Sequence, residues 1–437
     1  MKRTNFIGLL LVFLPFLIPS RLLAWGNTWM GASLEMMVNA ARWKAGPFRY
    51  SGAFQFNNAG HDSDIYFGTL AYPVPDFTFS AGPDIQVLLP LKKKIVFDIT
   101  ESPRYVYYLD TDRERALNNT FAGRVHFIFD RFYIQAGGGL LNAKQRLSTE
   151  LNVNIRLKEN SMNGLILWQA SKGTSLALQY QRSVFRYDNL TSGTTNVSEN
   201  LNRTESYVDF MAFLQQHAKT RFYLDGQYGS YVFAQETSNF KNSRTYGVYG
   251  GVEFLAPAAG FEGLTAGLRG SINIGYQYLD ILDPLQKDFS GLSGNTGVSL
   301  GIMKLTALHV FFSIGPQFSA YSGQTYYLQT FYGVGVTRSL SRKISFSYDF
   351  YYSQNKYPAG EIGGGSSSGT AADRYTTHSF SLDFRLRREL GLSLLANLGG
   401  RKSQLAPRPD SRHSFFGFSL TYGYTSGGLS LRGGPLS

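Results

Sequence analysis

Residues 414–424 read SFFGFSLTYGY and alternate strictly. Phe416, Phe418, Leu420, Tyr422 and Tyr424 fall on one face; Gly417, Ser419, Thr421 and Gly423 fall on the other. A period of two belongs to a strand, because successive side chains leave opposite faces of a pleated backbone. The pattern recurs. In 121–129, Phe121, Val125, Phe127 and Phe129 oppose Arg124 and His126. In 264–278, Leu264, Leu268, Ile272, Ile274, Tyr276 and Tyr278 oppose Thr265, Arg269, Ser271, Asn273 and Gln277. Ile344, Phe346, Tyr348, Phe350 and Tyr352 oppose Ser345, Ser347 and Asp349, and Phe380, Leu382, Phe384 and Leu386 oppose Ser381, Asp383 and Arg385. A soluble sheet packed on one side would show this once or twice. Its recurrence from about residue 48 to 425, with few helical stretches to cover a sheet, predicts an all-β chain: a single transmembrane antiparallel β-barrel. Its outer face would suit lipid and its inner face water or a packed polar lumen.

The connections predict the two ends. Short ones fall at Leu91–Lys93, Asp130–Arg131, Ser171–Thr174, Ala218–Thr220, Leu305–Thr306, Leu340–Arg342 and Glu389–Leu390. Longer ones fall near 109–118, 188–203, 235–243, 281–293, 357–374 and 403–412. Short turns on the periplasmic side and long loops outside are the asymmetry expected of such a barrel, with both termini periplasmic. Hairpin counting with the even-number rule gives about 18 strands, with 16 as the alternative. Residues 48–75 and 146–162 fit least well; Asn57 to Asp64 reads as a loop and Tyr72-Pro73-Val74-Pro75 as a turn. The low-complexity GGGSSSGT at 363–370 reads as a mobile loop tip.

Outside 48–425 three further segments stand apart. Lys2 and Arg3, the apolar run Phe6 to Ile18 and Ala24 before Trp25 read as a signal peptide over 1–24. Residues 25–47 place Leu34, Met37 and Ala41 at helical spacing, which predicts either a short helix against the rim or inside the periplasmic mouth, or a poorly ordered leader. Residues 426–437 form a C-terminal tail. No later segment has the 18 or more apolar residues of a membrane helix, and mean hydropathy is -0.17. A barrel evades such a scan because only alternate residues meet lipid. With no cysteine, disulfides and thiolate chemistry are excluded. Net charge is +12, and +9 once Lys2, Arg3 and Arg21 leave with the leader. That charge would attract polyanionic glycans or lipid headgroups, or is simply scattered over rims and loops; no Lys/Arg run suggests nucleic acid.

Catalytic chemistry has little to stand on. His61, His126, His217, His309, His378 and His413 show no metal-ligand spacing, and no GxSxG elbow is present. The expectation is no enzyme, no metal and no cofactor. The informative residues are charges assigned to the inner face: Arg124, Arg156, Arg269, Arg385 and Arg387, with Asp98, Glu205, Asp209, Arg221, Asp225, Asp349 and Asp383. Arg269 and Arg385 are expected mid-strand. Such a set either pairs across strands to brace the wall or forms a selectivity lining. Tyr107, Tyr133, Tyr207, Tyr223 and Tyr231 add inward aromatic surface able to stack on sugar rings.

Ser63-Asp64-Ile65-Tyr66, the aromatic strand Phe77–Leu88, Arg104-Tyr105-Val106-Tyr107-Tyr108 and the strand end Arg186-Tyr187-Asp188 resemble a family of outer-membrane β-barrel porins, some of them linked to exopolysaccharide export operons. The resemblance covers roughly 60–425 and implies an outer-membrane channel that passes or assists export of polysaccharide or oligosaccharide. The alternative is a structural or adhesion barrel with a plugged lumen. Expected partners are outer-membrane lipid and lipopolysaccharide, the barrel assembly machinery and polysaccharide. The family carries no established catalytic residues to transfer. The chain departs from many barrels in continuing past Tyr424 to Ser437.

Overall fold

The computed structural model describes residues 29–424 apart from 68–71, 93, 147–149, 151–152, 193–194, 218–219, 255–266, 304, 359, 363–364, 368–370 and 405–409. The expected signal peptide over 1–24 and the tail over 426–437 lie outside the described residues. Eighteen strands form one wall. They are β1 (Phe48–Asp62), β2 (Asp76–Leu91), β3 (Ile95–Glu101 and Arg104–Tyr108), β4 (Ala116–Ile128), β5 (Phe132–Arg146) and β6 (Asn154–Gln169). Next come β7 (Thr174–Tyr187), β8 (Arg203–His217), β9 (Thr220–Phe233), β10 (Ser243–Phe254), β11 (Leu268–Ile281) and β12 (Phe289–Met303). The last six are β13 (Thr306–Phe318), β14 (Tyr326–Ser339), β15 (Ile344–Tyr357), β16 (Ala371–Arg385), β17 (Leu390–Ser403) and β18 (Ser411–Tyr424).

Every strand pairs antiparallel with its sequence neighbours, and β1 pairs with both β2 and β18, setting Gly52 opposite Tyr424. The sheet is therefore closed and no edge is left to be satisfied by lipid. Pro103 has no N–H to give the ladder, and β3 breaks there into its two pieces. The segment Asn57 to Asp64 is not a loop: β1 runs through to Asp62. It carries a bulge at Asn57–Asn58, where Asn58 takes φ 52° and the register shifts against both neighbours. A bulge adds a residue without ending the strand. Of the expected loop tip at 363–370 only Gly365–Ser367 is described, and it pairs with Gly360–Ile362 in a small hairpin; 363–364 and 368–370 lie outside the described residues.

Residues opposite one another in a ladder share a face. One row runs Asp98, Arg124, Gly137, Asn163, Gln181, Tyr207, Gly229 and Thr245 across β3 to β10. Asp98 and Thr245 are buried, so this row faces the lumen. The alternate positions, among them Phe97, Leu140, Ile166, Leu178, Phe210, Leu224 and Val248, are exposed and apolar. On this outer face Phe132 stacks on Trp168 near the turns (centroids 6.4 Å), while Tyr228, Tyr246 and Tyr278 form a ladder nearer the loops. Rings at two levels are the arrangement expected of interfacial girdles.

Tight connections gather at one end, and so do the start of β1 and the end of β18. The loops gather at the other. The link between β10 and β11 is the exception in length at the turn end, and residues 255–266 within it lie outside the described set.

Candidate functional site: the lined interior of the barrel

The turn end of the interior holds a helix. In α1 (Trp29–Ala40), Met30, Leu34 and Val38 recur every four residues, which puts them on one stripe. All three are at most 3% exposed. The stripe packs on inward Leu88, Val96, Ile128, Tyr133, Leu165, Leu167, Ala177 and Phe213, with Tyr223 at the margin. The chain then leaves the lumen through a hairpin in which Trp43–Ala45 pairs with Phe48–Tyr50, turning at Gly46 (φ 57°). Of the two readings of residues 25–47, the helix inside the mouth is the one observed. Every wall residue in its cluster comes from β2 to β9. At the same end, most inward positions of β10 to β17 are polar: Glu253, Ser271, Ser299, His309, Thr337, Ser347, Asp383 and Ser393, with Ala307 among them. One half of the circumference is lined to hold a helix, and the other carries polar side chains, several of them buried among one another.

Charges on the wall are mostly answered by neighbours one strand away. Arg124 Nη1 lies 3.2 Å from Asp98, which also accepts from Gln86 Nε2 at 3.0 Å. Close by, the Tyr133 hydroxyl donates to Gln135 and lies 2.7 Å from His126 Nδ1. Glu205 accepts from Arg203 Nε at 2.8 Å and from the Tyr207 hydroxyl. The Arg203 guanidinium sits over Phe185 (4.6 Å) and Phe318 (5.5 Å), which covers its faces while its edge stays paired. Asp209 accepts from Gln227 Nε2 at 2.8 Å. Asp225 stands one ladder step away on β9, opposite Tyr249. Asp383 is held by Ser381 and Ser393, and Asp349 lies over Gly335, where no side chain competes for the space. Each of these groups is on the inner face.

Arg156 and Arg387 are not on the inner face, and Arg269 and Arg385 keep its register but stand at strand ends. Arg156 faces outward: it is opposite Lys144, and its Nη1 donates to Asn142 at 2.8 Å. Its neighbours Ile155 and Leu157 point inward instead and are buried. Near the loops the barrel interior is filled with apolar loop residues while the outer face has left the lipid, so the polarity of the two faces inverts. Arg385 is the last residue of β16, and Arg387 is in the turn that follows; both are exposed in water. Arg269 is second in β11, on the lumen row but at its exposed end. Neither Arg269 nor Arg385 is mid-strand. Tyr107 also faces outward, stacked on Phe79 at 4.9 Å.

Loops close over part of the other end. The short helix α2 (Val197–Leu201) drops Val197 and Leu201 against Ile155 and Ala320. Lys241, fully buried, donates to the carbonyls of Ser319 (2.9 Å), Tyr321 (3.2 Å) and Asn200 (3.4 Å). Glu150 holds the same turn through Ser319 Oγ (2.7 Å) and the Ala320 N–H (2.6 Å). Burial pushes the Lys241 ammonium down to about 7, with the Glu150 charge opposing the shift. Among the described residues no group of three or more His, Cys, Asp or Glu is arranged to hold a metal.

The protein is a closed barrel with an apolar outer face, an inner face part apolar and part polar, and a helix in its mouth. The sequence profile of the family described as "Putative beta-barrel porin 2" matches residues 167–421, more than half of the chain. The chain belongs to that family. No curated protein sequence matches it. Among solved structures it is similar to the outer membrane protein OpdK of Pseudomonas aeruginosa, with a TM-score of 0.49 and 9% identity over 86% of this chain and 98% of that one. It is also similar to OccK2 (OpdF) of the same organism, solved in complex with glucuronate (TM-score 0.47, 8% identity, 86% and 97% covered). A third is the siderophore receptor PirA of P. aeruginosa (TM-score 0.45, 9% identity, 88% and 81% covered).

The interior of this porin-like barrel also contains ion pairs that the sequence did not indicate, although Arg221 was expected on the inner face. Arg104 pairs with Asp84 (2.5 Å), Arg221 Nε donates to Glu253 (2.8 Å), and Asp62 lies 2.9 Å from His413 Nε2. Each pair joins adjacent strands far apart in number, so alternation could mark a member as inward but not name its partner. His413–Asp62 needed the bulge in β1 as well, since the extra residue is what turns Asp62 inward.

Proposed function

We propose that this protein is an outer-membrane channel whose passage runs beside α1, along β10 to β18, and that its solute is a polar glycan chain, an oligosaccharide or an exported polysaccharide. The observation that carries this reading is the divided lining. α1 covers the apolar half of the inner wall, and the facing half keeps hydroxyl, amide, imidazole and carboxylate groups. Transport of this kind makes and breaks no bond. The outer face would meet lipid, with lipopolysaccharide on the loop side. The mixed charges favour a solute that hydrogen-bonds over one recognised by net charge.

The buried α1 and the Lys241 loop clamp also favour a second reading, a barrel closed at both ends with a structural role. Planar-bilayer recording of the full-length protein and of Leu34→Asp separates the two. A carboxylate in the α1 stripe would be desolvated without a partner and should release the helix while the paired wall stays folded. Discrete conductance steps in the native protein, several-fold larger in Leu34→Asp, are expected. Silence from both, with heat-modifiable migration intact, would leave the structural barrel.

A further inference from the structure

Phe311, Phe331 and Tyr351 stand on the inner faces of β13, β14 and β15. Phe331 and Tyr351 are stacked, with centroids 5.6 Å apart and planes 21° apart; Phe311 lies 6.1 Å from Tyr351. Their environment differs from that of Tyr133, Phe213, Tyr207 and Tyr231. Tyr133 and Phe213 are covered by α1, and Tyr207 and Tyr231 are bonded to each other at 2.7 Å. The trio is only half-buried, lies outside the α1 cluster and stands on the otherwise polar half of the wall.

A glycine lays one of these rings along the wall. One row reads Gly297, Phe311, Gly333, Tyr351, Thr377. A β-carbon added at Gly333 would come 2.6 Å from Tyr351 Cδ1. The ring therefore occupies the place a side chain would take and lies close over the backbone. A ring lying over the wall presents its face to the lumen. Phe311 is braced from below by His309, stacked at 6.5 Å and 16°. His309 is itself fixed between Ser299 Oγ (2.7 Å) and Thr337 Oγ1 (3.1 Å). Register sets hydroxyls beside the rings, Ser313 next to Phe331 and Thr377 next to Tyr351.

We infer that Phe311, Phe331 and Tyr351 form a binding track for the pyranose rings of a glycan chain. The face of a pyranose is a patch of polarised C–H bonds, which the negative face of an aromatic ring attracts, while its hydroxyls point sideways to polar neighbours. Successive aromatic faces with flanking hydroxyls match a chain of such rings. The inference rests on the channel reading for its biological meaning and not for its chemistry, so the two are tested apart.

The full-length barrel is folded in detergent micelles and titrated with cellohexaose, a neutral linear glucan, followed by saturation-transfer NMR. Transfer to the ring-face protons of the sugar is expected. Tyr351→Ala and Phe331→Ala should each weaken binding about 3- to 10-fold, the range of one aromatic contact. Tyr351→Phe should retain it, and the outward Phe346→Ala should leave it unchanged. Heat-modifiable migration identifies folded variants; if an alanine variant does not fold, Tyr351→Leu keeps the volume and removes the π-face. No transfer in the native barrel, or equal transfer in the folded Tyr351 and Phe331 variants, overturns the track. In the bilayer, conductance that cellohexaose does not interrupt also overturns it while leaving a channel. A silent bilayer with intact, Tyr351-dependent binding supports the track and removes the channel.

Discussion

Gly333 and Gly250 show how differently one residue type is used on the two faces of the wall. A β-carbon at Gly250, on the outer face, would meet nothing within 4 Å. At Gly333 it would meet the Tyr351 ring and, at 2.8 Å, the Phe350 carbonyl oxygen, which cannot swing away. Gly250→Ala is therefore expected to change stability by less than about 0.5 kcal/mol. Gly333→Ala should cost about 1–3 kcal/mol, the range for overpacking a fitted site. Urea unfolding in micelles, followed by heat-modifiable migration, measures both. The richness in glycine and aromatics was plain in the sequence, but not that one serves as the seat of the other. That depends on which residues face each other across a ladder, and a single strand does not carry its register. Residue by residue, the charges fared best deep in the wall. Asp98, Arg124, Glu205 and Asp209 obey alternation, whereas Arg156, Arg385 and Arg387 sit where the wall has left the membrane and alternation no longer reports lipid against lumen.

Among the elements, the strands were legible and the pieces that fill the barrel were only partly so. α1 showed its helical spacing, yet nothing in 25–47 states which wall accepts it; that is written in Leu165, Leu167 and Phe213, far along the chain. The Lys241 clamp was invisible, since it joins a lysine to backbone carbonyls some 80 residues on. It has a consequence for pH. In the docked loops Lys241 titrates near 7, whereas an unfolded lysine does so near 10.4. Between these values the released loop binds the proton that the docked loop lacks, so docking gains stability as the pH rises from about 7 towards 10.4 and is flat below 7. Limited proteolysis of the loops from pH 7 to 9.5, normalised to an unfolded peptide control, should show rising protection. Protection that is constant or falls over that range would contradict this linkage. Lys241→Met, which cannot titrate, should remove the slope.

At the level of the whole molecule, closure sets the rule for what the outer surface tolerates. Val248, mid-strand in β10 and 60% exposed, faces the hydrocarbon, whereas Leu382 lies three residues from the end of β16. Val248→Arg should cost about 2–4 kcal/mol and Leu382→Arg about 1 kcal/mol or less, because the penalty falls towards the interface. Arg385→Glu, already in water, should change stability by under about 0.5 kcal/mol. Folded fraction in lipid vesicles across a urea series checks the order; equal costs at Val248 and Leu382 would mean that the lipid belt is placed wrongly. The architecture and the strand number were readable because lipid imposes a rule on every strand at once, so errors in single segments average out. The division of the interior was not, because no such rule governs a lumen. That division has a further meaning. The strands that cradle α1 come first in the chain and those along the proposed passage come last, so stopper and conduit occupy consecutive stretches of sequence. A recombinant joining the first nine strands of one relative to the last nine of another would exchange the stopper and leave the conduit as it was, which makes the two properties separable objects for engineering.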